Sequence, residues 1–417
     1  VFTFQIVRTF SKIIKIRLRL WGGKRYPITD PDDCATVSNQ CLGKSYVYDF
    51  AKNWLGNGIL TADVETWKIH RKLLSPAFSQ KTVESFMGVF NEQAKCLVEQ
   101  IGADGTKSSK LVAEFNGKKN DQNGLHISGT AFGVDPEKHR TLIDNYLKAL
   151  DEIKDILQER FRKPWLHSEV VYKWTFLKSK ETAVCKVLKD LSDTVSSENF
   201  KPFMDSLLEL GDNDQLYNDK EIRDETNTII FGGHDTSSVA LIFILILIGS
   251  YPDVQDKVYS EILGNKDDVN RKNVSKLVYL EAVIKETLRL YPIGFLVARH
   301  AEEEVKLKNY TLPAGSNCFL NFWGLHHHAI WGPDAEVFRP ERWLDSTLPE
   351  NPNAFGAFHI GKRSCIGRVY AIISMKTTLA HLLRHYRIRA DVTKLVVKLE
   401  TFLKPASGHY IAIERRI

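Results

Sequence analysis

The run Phe358-His359-Ile360-Gly361-Lys362-Arg363-Ser364-Cys365-Ile366-Gly367 constrains this chain more than any other feature. It sets one cysteine beside an arginine and between two glycines. With about one residue in twenty at each of five fixed positions, chance gives F-x-x-G-x-R-x-C-x-G roughly once in ten thousand chains of this length. Directly behind it, Ile366, Val369, Ile372, Ile373, Leu379, Leu382 and Leu383 recur on a helical period and predict a helix over 366–386. Cys365 then stands at a helix N-terminus, where the dipole and open amide N–H groups favour a thiolate. The five other cysteines (Cys34, Cys41, Cys96, Cys185, Cys318) read as ordinary structural thiols.

The chain has 417 residues, of which 43% are hydrophobic, enough for a large core. No linker divides it, so a single domain over 1–417 is expected. The cysteines form no C-x-x-C pair and no regular spacing, which argues against zinc and a disulfide framework and fits a reducing compartment. The net charge of +6 reads first as a solvated basic surface, and suits an acidic redox partner or an anionic membrane as well. Nothing points to nucleic acid. Val239–Ile248 is an unbroken apolar run too short to span a bilayer, and reads as a buried core helix. Residues 1–20 mix apolar and basic residues, as in an amphipathic helix on a membrane surface or the first helix of the domain.

Helical patterns occur over 64–75, 79–101, 139–162, 180–195, 219–250, 252–263, 274–290 and 366–386. Residues 22–45 read as short strands and turns. Residues 295–321 and 394–414 alternate like strands, and 102–128 read as a polar loop. The fold class is therefore mostly α with minor β sheets.

Four more constellations carry chemistry. Gly232-Gly233-His234-Asp235-Thr236 lies within the 219–250 helix, where each glycine costs about 1 kcal/mol relative to alanine. Close approach of a flat ring is one reason for them; a simple helix kink is the other. Thr236 can bond the carbonyl of Gly232, and an acid beside an alcohol can relay protons. Glu286 and Arg289 share a helix face at i, i+3, with Arg342 in Pro340-Glu341-Arg342-Trp343 some fifty residues later. Trp67 and Arg71 lie at i, i+4 on one helix face. His326-His327-His328 point in different directions on any regular backbone and make a poor metal site.

Together these motifs resemble the cytochromes P-450, over nearly the whole chain. Trp67-Lys68-Ile69-His70-Arg71-Lys72-Leu73-Leu74-Ser75-Pro76-Ala77-Phe78 and Gly233-His234-Asp235-Thr236 resemble the microsomal clan that includes the family-four fatty-acid hydroxylases, and an insect member of it. The resemblance implies a triangular helical prism holding haem b between the 219–250 helix and the Cys365 loop. Cys365 would ligate the iron as a thiolate, pushing electron density toward dioxygen. Phe358, Gly361 and Gly367 would shape the cysteine loop. Arg363, Arg71 with Trp67, and Arg299 would meet the haem propionates. Gly232 and Gly233 would face the ring, Asp235 and Thr236 would deliver protons, and Glu286, Arg289 and Arg342 would lock the scaffold. Substrate would lie near 46–60, 231–236, 292–298 and 403–411.

The implied activity is insertion of one atom of O2 into an apolar small molecule: a fatty acid, a terpenoid or hormone, or a xenobiotic. NADPH–cytochrome reductase, with cytochrome b5, would supply electrons at the cytosolic face of the endoplasmic reticulum. Three departures stand out. The membrane anchor and proline-rich hinge that the resemblance leads one to expect are absent from this sequence, which reads as a fragment. The stretches 116–132 and 195–203 look short, which keeps a non-catalytic or misfolded haem-binding remnant as the alternative. Many family-four members carry a glutamate where this chain has Gly232, so haem is expected to be held non-covalently. A haem-thiolate isomerase is a third reading, disfavoured by the Asp235-Thr236 pair.

Overall fold

The computed structural model describes residues 25–104, 140–197, 218–264, 268–345, 349–406 and 411–416. The expectations for 1–20, 105–132 (which holds most of the polar loop and the first short stretch), 198–203 and part of 403–411 fall outside these residues. The chain divides into two compact units. The first joins the stretch ending at Phe50 to Lys285–Cys365, and the second joins Ala51–Ile284 to the stretch from Ile366 onward.

The first unit is built on a four-stranded sheet. It uses β1 (Arg25–Ile28), β2 (Gly43–Lys44), β3 (Leu296–Ala301) and β6 (Ser316–Asn321), in the order β1-β6-β3-β2. Between β3 and β6 lies a small hairpin, β4 (Val305–Lys306) and β5 (Thr311–Leu312). β1 runs parallel to β6; the other pairings are antiparallel, with Lys44 opposite Arg299. Ile28, Val297, Leu320 and Phe322 form its core with Cys34, Val37, Cys41 and Cys318. The sequence reading of 22–45 as strands and turns is corrected here, because Pro31–Gln40 is a helix. Asp30 caps it by accepting from the Asp32 and Asp33 amides, and Pro31 pre-sets its first turn.

Glu286 organises the rest of this unit. Its carboxylate is fully buried and accepts from Arg289 through two bonds of 2.8 Å. It also accepts from Arg342 Nε at 3.4 Å, the Trp343 indole at 2.9 Å and the Arg339 amide at 3.1 Å. The leftover guanidinium donors of Arg289 and Arg342 go to carbonyls of His326, Ala335, Trp331 and Asp334. His326 passes the order on. It donates from Nδ1 to the Arg289 carbonyl at 3.0 Å and accepts at Nε2 from the Gly356 amide at 2.8 Å. Those partners fix its neutral tautomer. His327 stacks on Trp323 and bonds its carbonyl.

The second unit is helical. The helix Asp219–Ser250 opens with a full capping box between Asn218 and Glu221. It is long and apolar enough to cross a membrane, but Phe243, Ile244, Ile246 and Ile248 are buried in this unit, so it is a core helix. The helix Arg368–His385 packs along Met87–Asp104, and Arg140–Arg162 along Phe176–Ser197. The small sheets β7 (Tyr386–Arg389) with β10 (Ala412–Arg415), and β8 (Val397–Leu399) with β9 (Leu403–Pro405), complete it. Two predicted helices are broken. The 79–101 helix becomes Gln80–Ser85 and Met87–Asp104, parting at Phe86, whose buried ring meets Phe90 edge-on at 6.5 Å. The 274–290 helix becomes a 3-10 turn, Val274–Lys276, and a helix, Val278–Leu290, parted at Leu277.

Removing the negative charge of Glu286 strands two buried guanidiniums. Glu286→Gln is expected to destabilise the first unit by about 3–5 kcal/mol in chemical denaturation. Acid acts through the buried histidines. Burial first, then the Arg289 charge, pushes His327 down to about 4, and burial with His327 and Arg289 lowers His326 as well. The unfolded chain binds protons on histidine below about pH 6.5 while the folded one does not. Stability is therefore full above about pH 6.5 and declines as pH falls, by about 2 kcal/mol at pH 5 for His327 alone. Thermal melts across this range should show a falling midpoint.

Candidate active site

In the first unit the cysteine loop leaves the sheet region at Gly356 and ends at Cys365. It closes on itself through the Cys365 amide, which donates to the Phe358 carbonyl at 2.8 Å. The side chain of Cys365 is exposed. Gly361 adopts φ +75°, and a Cβ there would come within 2.8 Å of Ser38, so both its handedness and its closeness to the Pro31–Gln40 helix call for glycine. Gly367 is the N-cap of the helix Arg368–His385, two residues past the cysteine, with its carbonyl accepting from Ala371 at 2.8 Å.

Close to this loop the first unit gathers cations. Arg299 on β3 and Arg363 in the loop are 1% and 7% exposed. Lys44 stands opposite Arg299 on β2, 4.3 Å over the Tyr48 ring. Burial, then Arg299 and Arg363, hold the Lys44 ammonium well below the usual lysine range. Burial lowers Arg299 too, and the groups opposing that are the Tyr48 phenol and the Cys41 thiol. Nε of Arg299 is buried with no hydrogen-bond partner among the described residues. Among the described residues no carboxylate pairs with Arg299 or Lys44, and the crowding of these basic groups suits an anionic group.

In the second unit Gly232 and Gly233 lie where the helix Asp219–Ser250 emerges from its core. A Cβ on Gly232 would meet nothing within 4 Å, so a flat ring can lie against this backbone. Thr236 donates to the Gly232 carbonyl at 2.6 Å, leaving its oxygen lone pairs available. Asp235 is more constrained than its sequence position suggests. Lys154, from the helix Arg140–Arg162, reaches it at 2.6 Å, and His234 Nδ1 lies at 3.2 Å. Burial would raise the Asp235 carboxyl, but the His234 hydrogen bond and the Lys154 charge outweigh it and hold the group far below the usual carboxylate range. Trp67 is buried and Arg71 half-buried on the helix Val64–Leu74.

Four functional neighbours escaped the sequence reading. Lys154 is 81 residues from its partner in sequence, and no local pattern marks it. Buried His70, between Trp67 and Arg71, bonds Glu225 of the long helix at 2.7 Å. Lys44 and Tyr48 belong with Arg299, and the only signal was a lysine in a short strand.

These features fit haem. In the first unit, taken by itself, the cation cluster suits propionates and the exposed cysteine suits a thiolate ligand; in the second, taken by itself, the open glycine suits a flat ring, and Gly232 offers no carboxylate for an ester link. Comparison with known proteins agrees. A family profile for Cytochrome P450 matches residues 35–413. The relative "Cytochrome P450 4c21" of Blattella germanica is 30% identical, over 91% of this chain and 81% of its own length. "Probable cytochrome P450 4s3" of Drosophila melanogaster is 32% identical, over 89% and 80%. "Cytochrome P450 4V2" of Homo sapiens is 30% identical, over 96% and 82%. The family implies O2, a redox partner and an organic substrate. The chain belongs to the cytochrome P450 family and is a haem-thiolate monooxygenase that binds haem b non-covalently through a cysteine thiolate.

Proposed function

We propose that Cys365 is the axial ligand, and that residues 1–417 act as one catalytic domain inserting an oxygen atom from O2 into an apolar fatty acid, terpenoid, hormone or xenobiotic. Electrons come from NADPH–cytochrome reductase, with cytochrome b5 as a second donor, at the cytosolic face of the endoplasmic reticulum. The observation that carries this reading is the exposed Cys365 on a closed loop beside buried Arg299, whose Nε has no hydrogen-bond partner among the described residues. Bound haem supplies the iron at which dioxygen is activated.

The protein's own residues do the rest. Phe358, Gly361 and Gly367 shape the loop that presents the sulfur. Arg363, Arg299 and Arg71, with Trp67 beside it, hold the propionates, and Lys44 adds a third cation in the first unit. Glu286, Arg289 and Arg342 keep the loop's scaffold rigid. Gly232 and Gly233 admit the ring, and the Thr236 hydroxyl offers lone pairs for a passing proton. Held by Lys154, Asp235 stays ionised and orients; it carries a proton only after Lys154 lets go. Trp174 and Phe176, 89% and 80% exposed beside Lys173 and Lys178, suit contact with a membrane surface.

The reduced carbon monoxide spectrum tests the ligand. The parent should show the strongly red-shifted Soret band of a thiolate complex, and Cys365→Ala should lose it entirely. A parent band typical of neutral-thiol or histidine ligation would sink the assignment. Thr236→Ala should keep NADPH-dependent oxygen uptake but convert less of it to product, by about tenfold or more if the relay is its role. Unchanged coupling would remove Thr236 from proton delivery.

A further inference from the structure

Among the described residues, His359 is the one residue other than glycine with a positive φ, +59°. A left-handed backbone costs a side-chain-bearing residue on the order of 1 kcal/mol or more, and persists only where the surroundings hold it. The surroundings here do so from three directions. The His359 amide donates to the Gly356 carbonyl at 2.9 Å. The imidazole stacks on Phe322, with ring centres 5.0 Å apart. Its Nε2 donates to the Gly294 carbonyl at 3.3 Å.

The fit leaves no slack. A Cβ on Gly294 would come within 2.8 Å of Nε2, and a Cβ on Gly356 would overlap the Phe322 ring at 2.4 Å. Burial, then the charges of Arg299 and Lys44, push the imidazole down to about 3, so it stays neutral, with its Nε2–H directed at the Gly294 carbonyl. That places one side chain against two segments that matter. On one side, His359 directly follows Phe358, whose carbonyl closes the loop on the Cys365 amide. On the other, Gly294 lies in the turn that feeds β3, the strand carrying Arg299.

We infer that His359 is a positioning residue: its ring straps the cysteine loop to the Gly294 turn, so that one contact sets both the presentation of Cys365 and the seat of Arg299. The inference rests on the haem-thiolate reading of Cys365. Serving merely as a left-handed turn would be a different role, and glycine separates the two, because glycine relieves the backbone cost while removing the strap.

The test uses the full chain with three proteins: parent, His359→Gly and His359→Asn. Asparagine tolerates the left-handed region and keeps an amide donor. In His359→Gly the thiolate-type carbon monoxide band should decay to the thiol-ligated form about tenfold faster than in the parent, the scale on which outer-shell partners change metal affinity or activity. Hydrogen exchange over residues 292–301 should rise in the same variant, in haem-loaded and haem-free protein alike. His359→Asn should recover part of both. A His359→Gly protein with parental band lifetime and parental exchange at 292–301 would overturn the strap. A parent lacking the thiolate band would instead overturn the haem-thiolate reading, while raised exchange in haem-free His359→Gly would still establish the link between loop and turn.

Discussion

A carboxylate with no access to water must be matched by donors, and in the first unit Glu286 sets the terms for everything around it. Two guanidiniums, an indole and an amide converge on its two oxygens. Arginine rather than lysine suits the position, because a rigid fork can satisfy the carboxylate on one edge and backbone carbonyls on the other. Those carbonyls belong to residues 326–337, a stretch of short turns and one 3-10 helix that has no strand partner. The ion cluster thus does for this stretch what a ladder does for a sheet. Through His326 the same order reaches the Gly356 amide, and so the start of the cysteine loop. Breaking the cluster reaches the loop by a route of consecutive hydrogen bonds, without any change at the cysteine itself.

Charge is distributed with opposite imbalance in the two units. The first concentrates Arg299, Arg363 and Lys44 with a phenol and a thiol as neighbours, and among the described residues no carboxylate pairs with Arg299 or Lys44. Such a cluster is unfavourable until an anion arrives, so binding of a dianionic cofactor stabilises the fold as well as the complex. The second unit over-answers one acid: Asp235 has Lys154 and His234, and Lys154 is itself shared with Asp151 at 2.7 Å. The first arrangement recruits a ligand, and the second restrains a side chain.

The sequence exposed the parts of this molecule that are periodic or local. The helices 219–250 and 252–263 fall where the apolar pattern placed them, because a capping box and a proline mark their starts. The cysteine loop was legible because its chemistry needs several residue types within ten positions. The helix Pro31–Gln40 was missed although Asp30-Pro31 announces it, since its five buried residues are spread among polar ones. Phe86 and Leu277 break helices through tertiary packing, which overrides local period. Lys154 with Asp235, and His70 with Glu225, are 81 and 155 residues apart, and one sequence carries no signal for such pairs.

The long helix shows why the glycine pair is tolerable. Two glycines weaken a helix by about 2 kcal/mol relative to alanines and invite a kink. Here the helix is clamped on either side of them. Before the pair, Glu225 is bonded to His70, and Asp224 accepts from the Asn57 amide at 2.9 Å. Beyond it, Gly249 touches the Ala390 backbone so closely that a Cβ would clash at 2.8 Å, and its carbonyl accepts from the Ala390 amide at 3.1 Å. Between the clamps, Thr236 turns its hydroxyl back onto Gly232. A helix anchored at both ends can afford a weak, bare surface in the middle, where a ring can approach the backbone and a hydroxyl stands beside it. The weakness is confined to the one turn where chemistry needs it, and the clamps keep it from spreading into the core formed by residues 239–248.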